Sequence, residues 1–176
     1  MLRRRSAEEP LLRIRLDAAG TGRARIATGL AVLDGFLEQL ARTARFDLEL
    51  ETDGGGGETE VDAVGHGLGQ ALAEALGRPG ARGIGSATAP SDEALAHVSL
   101  EASGRPLVVS NVDLTAARLG GLRGDLLERL LEALADAAGL TLHVRLLHGE
   151  DTQHVLDAIG KALGLALAEA CETPAR

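Results

Sequence analysis

Two stretches of this chain return about half its length later. LEQLARTARFDLELE at 37–51 comes back as LEALADAAGLTLHVR at 131–145, 94 residues on, and DAVGHGLGQALAEAL at 62–76 as DAIGKALGLALAEAC at 157–171, 95 residues on. In the first pair, apolar residues at helical spacing give way to strict alternation, so a helix runs into a strand. In the second pair the helical spacing persists, so each copy is a long amphipathic helix. A repeat of this length confines the chain to two similar halves built on one plan.

Further strands complete each half: LLRIRLDA and GRARIATG open the first, HVSLEAS and RPLVVSNVDL the second. These strands are too short and too hairpin-like for a doubly wound parallel sheet, so the expected fold class is α+β, a duplicated sandwich of mixed sheets packed against helices. Turn chemistry marks SGRP at 103–106 and GGLRGD at 120–125, and DGGGG at 53–57 reads as a lengthened connection. That glycine run lacks the lysine and hydroxyl that a nucleotide-binding loop places after its glycines. The halves are expected at 1–90 and 91–171, with 172–176 a flexible tail.

Composition narrows the partners. A net charge of −8 argues against a general phosphate-backbone binder, and Phe36 and Phe46 as the only aromatics leave no stacking platform, so nucleic acid is excluded. A core built from Leu, Ala and Val leaves little buried area per residue, and assembly into an oligomer would supply more. The single Cys171 rules out an internal disulfide, and Arg3, Arg4 and Arg5 are followed by no apolar run long enough for a signal sequence or a membrane span. A reducing, cytoplasmic setting is expected, with no membrane association.

With these residues in place the chain resembles the imidazoleglycerol-phosphate dehydratases, lyases of histidine biosynthesis. The resemblance runs almost end to end, through ATGLAVLDGFLEQLA, GLGQALAEALG, GIGSATAPSDEALAHVSLEASGRP, LLERLLEALADAAGLTLHVRLLHGE and the helix of 147–171. It implies the family's ribosomal S5 domain 2-like halves and a homo-oligomeric cage of 24 subunits. It also implies two manganese ions between neighbouring chains, acting as Lewis acid and template while imidazoleglycerol phosphate is dehydrated to imidazole-acetol phosphate.

The resemblance also assigns residues. A His-His-x-x-Glu motif belongs to each half; here the first copy is Glu58, Thr59 and Asp62, and the second Gln153, His154 and Asp157. Gly35 stands where a histidine follows Asp34, and His143 is retained. Asp62, His143, His154 and Asp157 are therefore the candidate metal ligands. At the phosphate end, His97 and Ala116 stand in place of arginines, leaving His97, Arg118 and Lys161, with Gln39, as candidate substrate-binding residues. Glu9, Asp92 and Glu93 match positions associated with catalysis.

Each assignment has a plainer counterpart. Asp151 or Thr152 caps a helix whose first turn carries His154 and Asp157, and Asp157 with Lys161 is an ordinary i,i+4 pair. His143 shares one face of an alternating strand with Thr141 and Arg145. Asp92 and Glu93 are turn residues ahead of a strand. His66 and His148 receive no role. Three functions stay open on the sequence: a dehydratase with an unusual metal site, a non-catalytic structural or regulatory relative, and a metal-independent enzyme in which Glu9, Asp92, Glu93 and His97 act on a different small substrate.

Overall fold

The structure is a computed structural model that describes residues 11–55, 57–119 and 122–174. The first half contains β1 (Leu12–Asp17), β2 (Ala24–Ala27), α1 (Ala31–Ala44), β3 (Asp47–Thr52) and α2 (Glu58–Leu76). The second contains β4 (Ile84–Ser91), β5 (Ala94–Glu101), β6 (Leu107–Ser110), β7 (Arg118–Leu119), β8 (Leu122–Arg123), α3 (Leu126–Ala138), β9 (Thr141–His148) and α4 (Thr152–Cys171).

The sheets repeat the duplication strand for strand. In the first, ordered β1-β3-β2, β3 is antiparallel to β1 and parallel to β2; in the second, ordered β4-β5-β9-β6, β9 is antiparallel to β5 and parallel to β6. The second sheet gains β4 as an extra edge, paired antiparallel to β5. The division expected at residue 90 thus falls inside β4, and the hydrogen-bonded units meet ahead of Ile84. GGLRGD, read as a turn, holds part of the small β7–β8 ribbon.

The helices α1 and α3 form for the same reason and stop in the same way. Leu33, Leu37 and Leu40 of α1 correspond to Leu127, Leu131 and Leu134 of α3, and all six are buried. Each helix ends on a left-handed residue, Arg45 (φ 60°) or Gly139 (φ 67°). The next amide reaches back to the helix, Phe46 N–H to Ala41 O and Leu140 N–H to Ala135 O, both at 2.9 Å, the bond of a Schellman stop.

Across the halves α1 packs on α4 and α2 on α3, while α4 covers β4 and β5 and α2 covers β1. One apolar core of leucine, alanine and valine, with Ile159, Phe36 and Phe46, draws on both halves. Glu172, expected to begin a flexible tail, is tied down: its carbonyl accepts from Arg82 N–H at 3.0 Å. Among the described residues no helix is long and apolar enough to cross a membrane.

Candidate functional site

The β4–β5 hairpin turns on Asp92 and Glu93, with Asp92 at φ 48°, a left-handed value that aspartate tolerates better than most residues. This turn abuts the first turn of α4, where Asp151 caps the helix by accepting from the amides of Gln153 (2.9 Å) and His154 (3.1 Å). Glu93 accepts from Asp151 N–H at 3.0 Å and Glu150 N–H at 3.3 Å, and its other oxygen lies 2.5 Å from His154 Nδ1. The opposite ring nitrogen, Nε2, is 3.4 Å from Asp92 Oδ2. Two turns beyond His154 along α4, Lys161 donates to Pro90 O at 3.1 Å and Ser91 Oγ at 3.3 Å.

These contacts fix charge states. The Glu93 carboxyl is held down to about 2, first by the Asp151 amide and then by His154. His154 is raised above its ordinary value, chiefly by its bond to Glu93. Two carboxylates facing both ring nitrogens favour the imidazolium. Asp157 accepts from Gln153 Nε2 at 2.9 Å on the same helix. The sequence-selected Asp92, Glu93, His154 and Lys161 therefore come together at one end of the second sheet, with Asp157 on the helix between the last two.

The first-half motif meets a residue that sequence reasoning missed. Arg129, on α3, lays its guanidinium across α2: Nε reaches Asp62 Oδ1 at 3.1 Å, Nη2 reaches Asp62 Oδ2 at 2.5 Å, and Nη1 reaches Glu58 Oε2 at 2.6 Å. This three-bond fork raises Arg129 further above its usual range, with the Asp62 bond the largest cause. The available signal was the repeat itself, in which Arg129 falls opposite Gly35 and Glu58 opposite Gln153.

The remaining candidates lie elsewhere. Strand alternation turns His97 and His143 to the outer face of the second sheet, away from α4, because Val98, Leu142 and Val144 take the buried face. His97 is held by Thr88 Oγ1 at 2.8 Å and Ser86 Oγ at 3.3 Å. Gln39 donates to Thr43 within α1 at 3.0 Å, and Arg118 is exposed on β7. Glu9 lies outside the described residues.

A model of the family described as imidazoleglycerol-phosphate dehydratase matches residues 28–167. The chain belongs to the imidazoleglycerol-phosphate dehydratase family. The dehydratase of Methylibium petroleiphilum is 41% identical over 177 residues, covering 98% of this chain and 89% of the relative, and that of Clostridium botulinum is 39% identical over 179 residues, covering 98% and 90%. Among solved structures, imidazoleglycerol-phosphate dehydratase from Staphylococcus aureus superimposes with a TM-score of 0.85 at 29% identity, over 93% of this chain and 94% of that one. The Pyrococcus furiosus enzyme, in complex with (S)-C348, gives 0.84 at 28%, over 98% and 94%. The duplicated α+β sandwich is the fold of imidazoleglycerol-phosphate dehydratase.

The metal that this family membership implies does not fit the donors present. Asp62, His143, His154 and Asp157 do not form one set within the chain: Asp62 is engaged by Arg129, His143 faces outward from β9, and His154 has a carboxylate at each ring nitrogen. Among the described residues no group of three or more His, Cys, Asp or Glu side chains is placed to hold a metal ion. A carboxylate already forked to a guanidinium, an amide in place of an imidazole, and an imidazole with both nitrogens occupied are poor divalent-ion donors. The chemistry open to the chain's own side chains is proton transfer and anion pairing around Glu93, His154 and Lys161.

Proposed function

We propose that this chain works in the cytoplasm, in histidine biosynthesis, as a lyase of the kind its relatives are named for, dehydrating imidazoleglycerol phosphate to imidazole-acetol phosphate. The observation that carries this reading is the survival, on a scaffold related end to end, of Asp92, Glu93, His154 and Lys161 at one place. Loss of a hydroxyl and of a neighbouring carbon's proton needs one group to accept a proton and another to donate one. Glu93 and His154 are such a pair, 2.5 Å apart, and Lys161 brings a cation to the same end for an anionic ligand. In this reading Gln39, His97 and Arg118, which lie apart from this cluster within one chain, serve the ligand from a neighbouring copy, and Glu9 serves proton transfer.

A second reading, a non-catalytic structural or regulatory subunit, is favoured by one observation, the engagement of Asp62 and Glu58 by Arg129. Steady-state assay of the purified chain with imidazoleglycerol phosphate and added manganese separates the two. The lyase reading expects turnover that falls about 10²–10⁴-fold in kcat/KM on Glu93→Gln, the usual worth of a positioned acid or base. A folded protein with no turnover above the uncatalysed rate leaves the second reading standing.

Assembly into a homo-oligomer, a cage of the family type, belongs to either reading. It is supported by Ile84, Leu107, Val109 and Leu147, apolar side chains 37–58% exposed on β4, β6 and β9. A native mass equal to that of one chain would remove it.

A further inference from the structure

We propose that the guanidinium of Arg129 is the resident cation of the first-half motif, a fixed positive charge occupying Glu58 and Asp62 in place of an exchangeable divalent ion and tying α2 to α3. The proposal uses family membership only to say that a metal is the alternative occupant; the clamp itself rests on geometry. Both oxygens of Asp62 and one of Glu58 accept from a single planar fork, at 2.5–3.1 Å. The arginine side chain is 30% exposed and the two carboxylates just under half, so the fork is partly shielded from water and ions. Bidentate pairing of this kind is the geometry guanidinium is built for, and it fills the directions from which a metal would approach a carboxylate.

The duplication supplies an internal control. In the second half the position equivalent to Glu58 is the neutral Gln153, whose amide donates to Asp157 at 2.9 Å. The position equivalent to Arg129 is Gly35, where an added Cβ would meet nothing within 4 Å. The α2–α3 crossing therefore carries an additional anion together with an additional cation, and the α1–α4 crossing carries neither. An arginine on α3 serving only the solvent would have no reason to sit at the one crossing whose facing helix carries the extra carboxylate. Paired presence at one crossing and paired absence at the other is what a built-in counter-charge requires.

The test uses the full chain and two readouts that do not involve turnover, so its failure is distinguishable from failure of the lyase reading. The first is Mn²⁺ titration followed by the spin resonance of the free ion, on the unaltered chain and on Glu58→Gln/Asp62→Asn. The expected result is the same manganese binding, including none, in both. Binding by the unaltered chain that disappears in the double variant would show the carboxylates to be metal ligands and overturn the proposal. The second is a thermal cycle with Arg129→Met. Its Tm should fall by about 2–4 °C in the unaltered chain and much less in the double variant, as expected for a coupled fork in a protein of this size. Equal falls in both backgrounds would overturn the clamp. Should Arg129→Met fail to fold, Arg129→Lys, which keeps the charge and loses the fork, replaces it in the same cycle.

Discussion

At the scale of single residues, Asp47, at the start of β3, is a heavily bonded carboxylate of the first half. Its Oδ1 accepts from the amides of Thr21 (2.8 Å), Gly22 (3.1 Å) and Arg23 (3.0 Å), and its Oδ2 takes Nε and Nη2 of Arg23 at 3.1 and 2.7 Å. Asp47 thus closes the β1–β2 connection into an anion nest, and Gly20 is needed beside it, since a Cβ there would lie 2.5 Å from the Asp47 amide nitrogen. The Arg23 side chain, then the Thr21 and Arg23 amides, hold the Asp47 carboxyl well below its ordinary 3.8. A carboxyl depressed in the folded state contributes stability above its unfolded value and loses it as pH falls towards the folded one. Asp47→Asn should therefore lower Tm by a constant margin from about pH 5 upward. That margin should shrink below about pH 3.8, where the Asp47 carboxyl of the unfolded chain takes up a proton and the folded one does not yet do so. Melting curves of both proteins from pH 7 to pH 2 measure this, and a margin that persists unchanged at the acid end contradicts it.

At the scale of elements, the helix crossings are set by glycines that the apolar pattern did not register. On α2, a Cβ on Gly69 would lie 2.5 Å from Leu134 O; on α4, the equivalent Cβ on Gly164 would lie 2.6 Å from Leu40 O and 3.2 Å from Ala44 N. Those atoms are helix backbone and cannot retract. Gly160, one turn earlier, would only bring a Cβ to within 3.5 Å of Phe36. Replacing a mid-helix glycine by alanine favours the helix by about 1 kcal/mol, whereas overpacking a close crossing costs about 1–3 kcal/mol. Gly164→Ala should therefore destabilise by about 1–2 kcal/mol and Gly160→Ala should be neutral or stabilising by up to about 1 kcal/mol. Denaturant titration of the two variants decides it, and a Gly164→Ala protein as stable as the parent would refute the close-crossing account.

The same contrast explains which features the sequence made legible. Periodicity located α1 to α4, β1, β3, β5 and β9, because each presents a regular apolar face, and punctuation located the Asp92–Glu93 turn and the Asp151 cap. It missed β4, whose IGSATAPS has little β-branched character and is a strand because the edge of β5 offers it a ladder. In the site, His154 and Glu93 were legible one at a time, while their bond and the Arg129 fork join segments 61 to 71 residues apart, which no local pattern encodes.

At the scale of the whole molecule, the duplication is near-symmetric in backbone and asymmetric in charge. The α1–α4 and α2–α3 crossings repeat the close approach at Gly164 and Gly69 but are looser at Gly160, where a Cβ would lie 3.5 Å from Phe36 O, than at Gly65, where it would lie 2.8 Å from Leu130 O. On this similar ground one motif copy has Glu58, Asp62 and Arg129 and the other Gln153, Asp157 and Gly35. If the crossings are equivalent, the clamp is portable: Gly35→Arg with Gln153→Glu should rebuild it between α1 and Asp157. Replacing Gly35 by a good helix former such as arginine or methionine improves α1 by up to about 1 kcal/mol through helix propensity alone. The reference is therefore Gly35→Met, and the quantity of interest is the coupling between the two substitutions. A partly exposed fork should show a favourable coupling of about 0.5–1 kcal/mol, a rise of about 2–4 °C in Tm at most, reduced in high salt as exposed charge pairs are screened. Chemical denaturation of the parent, both single variants and the double variant completes the cycle. Zero or unfavourable coupling would mean that the two crossings present their side chains differently, and that the repeat in sequence extends to the backbone but not to the geometry above it.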